Sequence, residues 1–146
     1  MNINNHLAEF QFIGKSIKEL SVTNDFPNTN DTDAFSRSID VDYNIVNISE
    51  KNNQKTALMH LIVNVNLSRD NNSTDIKYVV EGCFTAPNEI SEEEFITMLS
   101  VNGCTALYSV ARADISSISS HIFNSGKILL PMVNVWELVS SKKANN

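Results

Sequence analysis

The chain has 146 residues, 42% hydrophobic and 19% charged, with a net charge of −6. That length supports one domain, spanning 1–146, with a core of its own. The negative charge argues against a nucleic-acid or anionic-membrane partner and suits a basic or positively patched one, and no apolar run is long enough to span a bilayer.

The first ten residues, MNINNHLAEF, hold neither the basic nor the apolar region of a secretion signal, so the expected compartment is the cytoplasm. Residues 1–7 and the tail 140–146, SSKKANN, are expected to be disordered. Residues 10–22, FQFIGKSIKELSV, read as a strand with a fault at Ile13–Gly14, the mark of a bulge. Residues 23–33 are rich in Asn, Asp, Thr and Pro and read as a loop. The second strand, 37–48, sets Ile39, Val41, Tyr43 and Ile45 on one face and Asp40, Asp42 and Asn44 on the other.

A polar turn at 49–53 leads to the longest strand, 54–68. Ala57, Met59, Leu61, Val63, Val65 and Leu67 share its apolar face. RDNNST at 69–74 has hairpin composition, and the fourth strand follows at 75–84. Short connections imply antiparallel neighbours, hence a four-stranded meander.

The period then changes. Ser91 with Glu94 makes a capping box, and Ile90 with Phe95 stands at staple spacing. A helix over 92–101 follows, stopped by Gly103. A second helix runs over 107–123, with Leu107, Ala111, Ile115, Ile118 and Ile122 as its apolar stripe. Ser116, Ser117, Ser119 and Ser120 make its other side small and polar. Two readings stay level there: close contact with a second copy of the helix, or an exposed helix of indifferent propensity. An extended piece and a short helix close the chain. Strands first and helices after give an α+β fold: a four-stranded antiparallel sheet with two main helices and a short C-terminal helix on one face.

The search for chemistry is nearly empty. His6, His60 and His121 stand far apart and form no ligand pair with Cys83 or Cys104, so no metal is expected. Both cysteines read as reduced thiols. No phosphate loop, dinucleotide fingerprint or nucleophile elbow occurs. The chain is read as a non-enzyme without cofactor. One surplus asks for an account: the apolar faces of strands 2–4, with Leu130, Met132 and Trp136, exceed what so few helices cover. Such surface marks an oligomer contact or a binding groove, and Met and aromatic side chains suit varied partners.

EGCFTAPNEISEEEFITMLSVNGCTALYSVARADISSISSHIF at 81–123 and LLPMVNVWEL at 129–138 carry a resemblance, and FQFIGKSIKELSV fits with them. In this order and spacing they resemble the SecB family of protein-export chaperones, over residues 8–138. The resemblance implies a sheet backed by helices, assembled as a homotetrameric dimer of dimers. It implies a holdase without nucleotide that keeps unfolded preproteins in hydrophobic grooves for Sec-dependent export. The client surface would use Phe35, Ile39, Val41 and Tyr43, with Leu130 and Trp136 in the tail. Ser116, Ser119 and Ser120 would meet a second copy. The family docks on the SecA translocation ATPase through acidic residues. Glu19 keeps one such charge, while Thr23 and Lys77 stand where acids are expected. Some SecB-like proteins serve toxin–antitoxin systems instead, and a plain ligand-binding or scaffolding domain is the remaining alternative.

Overall fold

The computed structural model describes residues 8–28, 35–124 and 126–145. Four long strands come first: β1 (Gln11–Asn24), β2 (Ser36–Lys51), β3 (Gln54–Arg69) and β4 (Asn72–Pro87). Helix α1 (Glu92–Met98), a π-helical turn (Leu99–Gly103), α2 (Cys104–Ile122) and α3 (Val135–Ala144) follow. Asn52 and Asn53 turn the chain between β2 and β3 with φ of 53° and 60°. Asparagine tolerates this left-handed backbone, and two such residues in succession match the twist of a tight hairpin.

All pairings are antiparallel, in the order β1-β4-β3-β2. The meander expected from sequence therefore holds for β2 to β4, but β1 lies beside β4. The burial of β4 explains this. Ile76, Tyr78, Val80 and Phe84 are all at most 2% exposed, so this strand needs neighbours on both sides. β2, lined by Asp40, Asp42 and Asn44, serves as the polar edge. The expected bulge lies between Phe12 and Gly14, and a second falls between Ile17 and Glu19.

The helices cover one face. Leu107, Ala111 and Ile115 of α2 are buried with the inward residues of β3 and β4. At Gly82 a Cβ would lie 2.7 Å from Leu107 Cδ2, so only glycine admits the helix this close. Ser91 caps α1 by accepting from the Glu94 amide at 3.2 Å, and Ile90 and Phe95 are both buried, as the sequence pattern requires. Gly103 does not stop the helix. Its φ and ψ are −62° and −48°, and a Cβ there would sit 2.9 Å from Met59 Sδ. Its glycine answers a close approach to the sheet, and the π turn carries the chain into α2.

The other face of the sheet holds paired polar groups. His60 Nε2 meets Glu81 at 2.7 Å, and Lys18 reaches the same carboxylate at 3.1 Å. His60 is thus a strand-face residue, as expected. The tail from 140 on is helical up to Ala144, where disorder was expected; residues 1–7, for which disorder was also expected, lie outside the described residues. Lys142 explains α3: its ammonium donates to Asp42 at 2.7 Å, to the Tyr43 carbonyl and to Asn44, and lies 4.5 Å from the centre of the Tyr43 ring.

That anchor makes α3 sensitive to acid. The hydrogen bond from Lys142 holds the Asp42 carboxyl below its ordinary 3.8. The hydrogen bond from His60, then Lys18, does the same for Glu81 below 4.5. A lowered folded value means stability that is complete above the ordinary value and lost as pH falls through the folded one. Lys142→Ala is expected to cost about 0.5–1 kcal/mol at neutral pH, because the ion pair is partly exposed. In urea melts the gap to the parent should shrink near pH 3. A gap unchanged at that pH would assign Lys142 to packing on Tyr43 instead.

Candidate functional site

A cleft of about 620 Å³ opens at the end of the sheet where β1 ends, β2 and β4 begin and β3 runs out. Phe26, Phe35 and Phe123 line it, with Leu129 and, around them, Arg37, Arg69 and Lys127. Each wall has a local cause. Asn24 Oδ1 accepts from the Phe26 amide at 3.2 Å and from the buried Thr74 hydroxyl at 2.7 Å. The Asp25 amide donates to the Ser73 carbonyl at 2.9 Å. This ties the connection after β1 to the start of β4 and aims Phe26 into the cleft. Phe35 approaches it at 6.0 Å between ring centres, and the Arg69 guanidinium lies 5.5 Å from the Phe26 ring.

The opposite wall is the segment after α2. Ser119 Oγ accepts from the Ile128 amide at 2.7 Å and donates to the Ser116 carbonyl at 3.1 Å. Ile128 turns inward, so Leu129 turns out. Further on, the Tyr108 hydroxyl donates to the Pro131 carbonyl at 2.6 Å and Arg112 Nε to the Leu130 carbonyl at 3.0 Å. Burial pushes the Tyr108 phenol up, which keeps it a neutral donor. The segment is thereby fixed with Ile128 and Leu130 buried and Leu129 between them 60% exposed; past Pro131 the alternation ends and Met132 is exposed as well. Arg37 Nη1 reaches the Leu129 carbonyl at 3.5 Å, bringing the start of β2 to this segment.

The structure divides the residues expected to meet a client. Phe35 lies in the cleft and is half exposed, and Trp136 stands out on the first turn of α3. Ile39, Val41 and Tyr43 pair with Val65, Val63 and Leu61 and so share the helix-side face of the sheet. Tyr43 is buried there beneath Lys142, and Ile39 and Val41 are half-buried against the same core. Leu130 is core as well. An alternating pattern identifies which residues share a face, not which face the helices cover. Phe26, Phe123, Leu129 and the three cations are not marked as a site by the sequence, because they lie at the ends of strands and helices or in the connections between them, where no periodic pattern brings them together.

The serines of α2 also divide. Ser119 is fully buried and serves its own chain, Ser116 is half-buried, and Ser120 is exposed with its hydroxyl turned back to the Ser117 carbonyl at 2.6 Å. Glu19 pairs with Lys77 at 3.1 Å. Burial pushes the Cys104 thiol up to about 12, too high for a nucleophilic thiolate at neutral pH. Among the described residues no cluster of acids, histidines and cysteines is arranged to hold a metal. None of their helices is long and apolar enough to cross a membrane.

No protein-family model matches the chain. No curated protein matches its sequence. Solved structures do match. A SecB-like chaperone of Mycobacterium tuberculosis, in complex with a ChAD peptide from the HigA1 antitoxin, superposes with a TM-score of 0.63 at 11% identity. The match covers 86% of this chain and 91% of that one. A protein of unknown function from Streptococcus agalactiae gives a TM-score of 0.48 at 11% identity, over 85% of this chain and 98% of that one. The fold of this chain, a four-stranded antiparallel sheet with two main helices and a short terminal one, is SecB-like.

Proposed function

We propose that this protein is a cytoplasmic holdase chaperone, working without nucleotide, that takes extended apolar segments of unfolded polypeptides into the cleft at the end of its sheet. The observation that carries the reading is the cleft itself: Phe35 and Leu129 stand open to solvent beside half-buried Phe26 and Phe123, on a frame pinned by buried hydrogen bonds. Rings and aliphatic groups offer large contacts with little sequence choice. Met132 and Trp136 extend the exposed apolar surface along the chain. The SecB-like structure of M. tuberculosis holds a peptide of an antitoxin, which supports a polypeptide as the kind of client.

Two client classes follow, unfolded preproteins for Sec-dependent export or an antitoxin held for its partner. The ion pair of Glu19 with Lys77 favours the second. The acid that would dock on SecA is neutralised by a cation at a position where docking would want another acid. Immobilised SecA is therefore expected to retain little of this protein.

Assembly as a dimer of dimers completes the reading. Phe12, Ile17, Leu20 and Val22, which pair with core positions of β4, remain 38–47% exposed in the single chain. A second copy would cover them. Sedimentation at micromolar concentration is expected to show an oligomer; a monomer would remove this part of the proposal.

The chaperone reading is tested by light scattering during refolding of an aggregation-prone protein. The protein is expected to suppress the signal at stoichiometric amounts, without nucleotide and in the presence of a chelator. Phe35→Ser with Leu129→Ser removes two exposed side chains worth about 1–2 kcal/mol each on contact, so client affinity should fall at least about tenfold. Circular dichroism should stay unchanged. Val41→Asp with Tyr43→Ser should instead unfold the chain, since that face is core. Full suppression by the cleft double variant would place the client elsewhere.

A further inference from the structure

We propose that the cleft selects acidic segments: its preferred client stretch joins an aromatic or aliphatic anchor to neighbouring Asp or Glu side chains. This rests on the holdase reading and adds the charge of the ligand to it. The chain as a whole carries −6, and by that sign alone it should attract basic clients. The cleft is locally the reverse. Its charged lining residues are Arg37, Arg69 and Lys127, and no Asp or Glu lines it among the described residues.

The cations are placed around the rings, not apart from them. Arg69 stands 5.5 Å from the centre of the Phe26 ring. Arg37 spans from the start of β2 to the Leu129 carbonyl. Lys127 sits one residue before Ile128, whose amide Ser119 holds. The C-terminal end of α2 also faces this cleft through Ile122 and Phe123. Its dipole is equivalent to about half a negative charge, less than the two full positive charges of Arg37 and Lys127. A segment whose aromatic side chain enters beside Phe26 and Phe35 would therefore lay its flanking residues against guanidinium and ammonium groups. Carboxylates there gain charge-assisted hydrogen bonds, bidentate ones where Arg is the donor. At about 0.15 M salt, screening over roughly 8 Å removes most of the pull of distant acids and leaves these near contacts. The local sign then decides the preference.

The test uses the full chain and three fluorescent twelve-residue peptides with the same two phenylalanines, flanked by Glu, Gln or Lys. Binding is read by anisotropy at low and high salt. The Glu peptide is expected to bind about tenfold tighter than the Gln peptide, and the Lys peptide weakest. The preference should shrink severalfold near 0.5 M salt. Arg37→Gln with Lys127→Gln should bring the Glu and Gln peptides to within about twofold of each other; the readout is the ratio of the two affinities, whatever happens to either alone. Equal binding of all three, or preference for the Lys peptide, would overturn the inference and leave the holdase reading standing. Failure of all three peptides to bind, or binding that Phe35→Ser leaves intact, would overturn both.

Discussion

Phe84→Ala is expected to lower the free energy of unfolding by about 3–5 kcal/mol, a large share of what a domain of this size possesses. Phe84 has no exposed surface. Its ring stacks on Phe10 at 5.3 Å and on Phe12 at 5.0 Å, and Phe10 meets Phe95 edge-on at 6.2 Å. It also covers Gly82: a Cβ there would lie 2.8 Å from Phe84 Cε2. Its ring thus ties the start of β1 to the last turns of β4 and, through Phe10, to the first helix. Truncation leaves a cavity that the hydrogen-bonded sheet cannot close. The melting temperature should fall by roughly 10 °C. The cleft lies at the other end of the sheet, so peptide affinity measured well below the transition should change little. A loss under about 1 kcal/mol in urea melts would show that this aromatic cluster repacks freely.

Ser119→Arg is the second large effect, and it separates a core position from a surface one on the same helix. Ser119 is fully buried, and its hydroxyl serves the Ile128 amide and the Ser116 carbonyl. Arginine there would have to bury a long charged side chain without a partner, at a cost of several kcal/mol. The expected result is loss of cooperative folding, not a folded protomer released from its partners. Ser119→Ala isolates the hydrogen bond: the Ile128 amide is left unsatisfied, and about 1–3 kcal/mol should be lost. Client affinity should fall with it, because Ser119 positions the Leu129 wall of the cleft. Ser120→Arg, on the exposed side, should stay folded and reports on assembly alone, through sedimentation. If Ser119→Arg melts like the parent, the segment after α2 does not depend on this anchor.

The elements themselves were legible from sequence because their signals are local. Alternation in residues 37–48 and 54–68 marks β2 and β3, and the box of Ser91 and Glu94 with the staple of Ile90 and Phe95 marks the start of α1. The surplus of apolar residues over available helix cover was legible too, as composition against length. Tertiary structure alone decided the rest. It placed β1 beside β4, because strand order depends on which strand needs two neighbours, and no short window encodes that. It made Gly103 a point of close packing rather than a stop, because Met59 lies across from it. It turned Ile39, Val41 and Tyr43 inward and opened a cleft among residues scattered over Phe26, Arg37, Phe123 and Leu129. A periodic pattern defines a face. Which face meets solvent depends on where distant segments, here α3 with its Lys142 and the segment held by Ser119, come to rest.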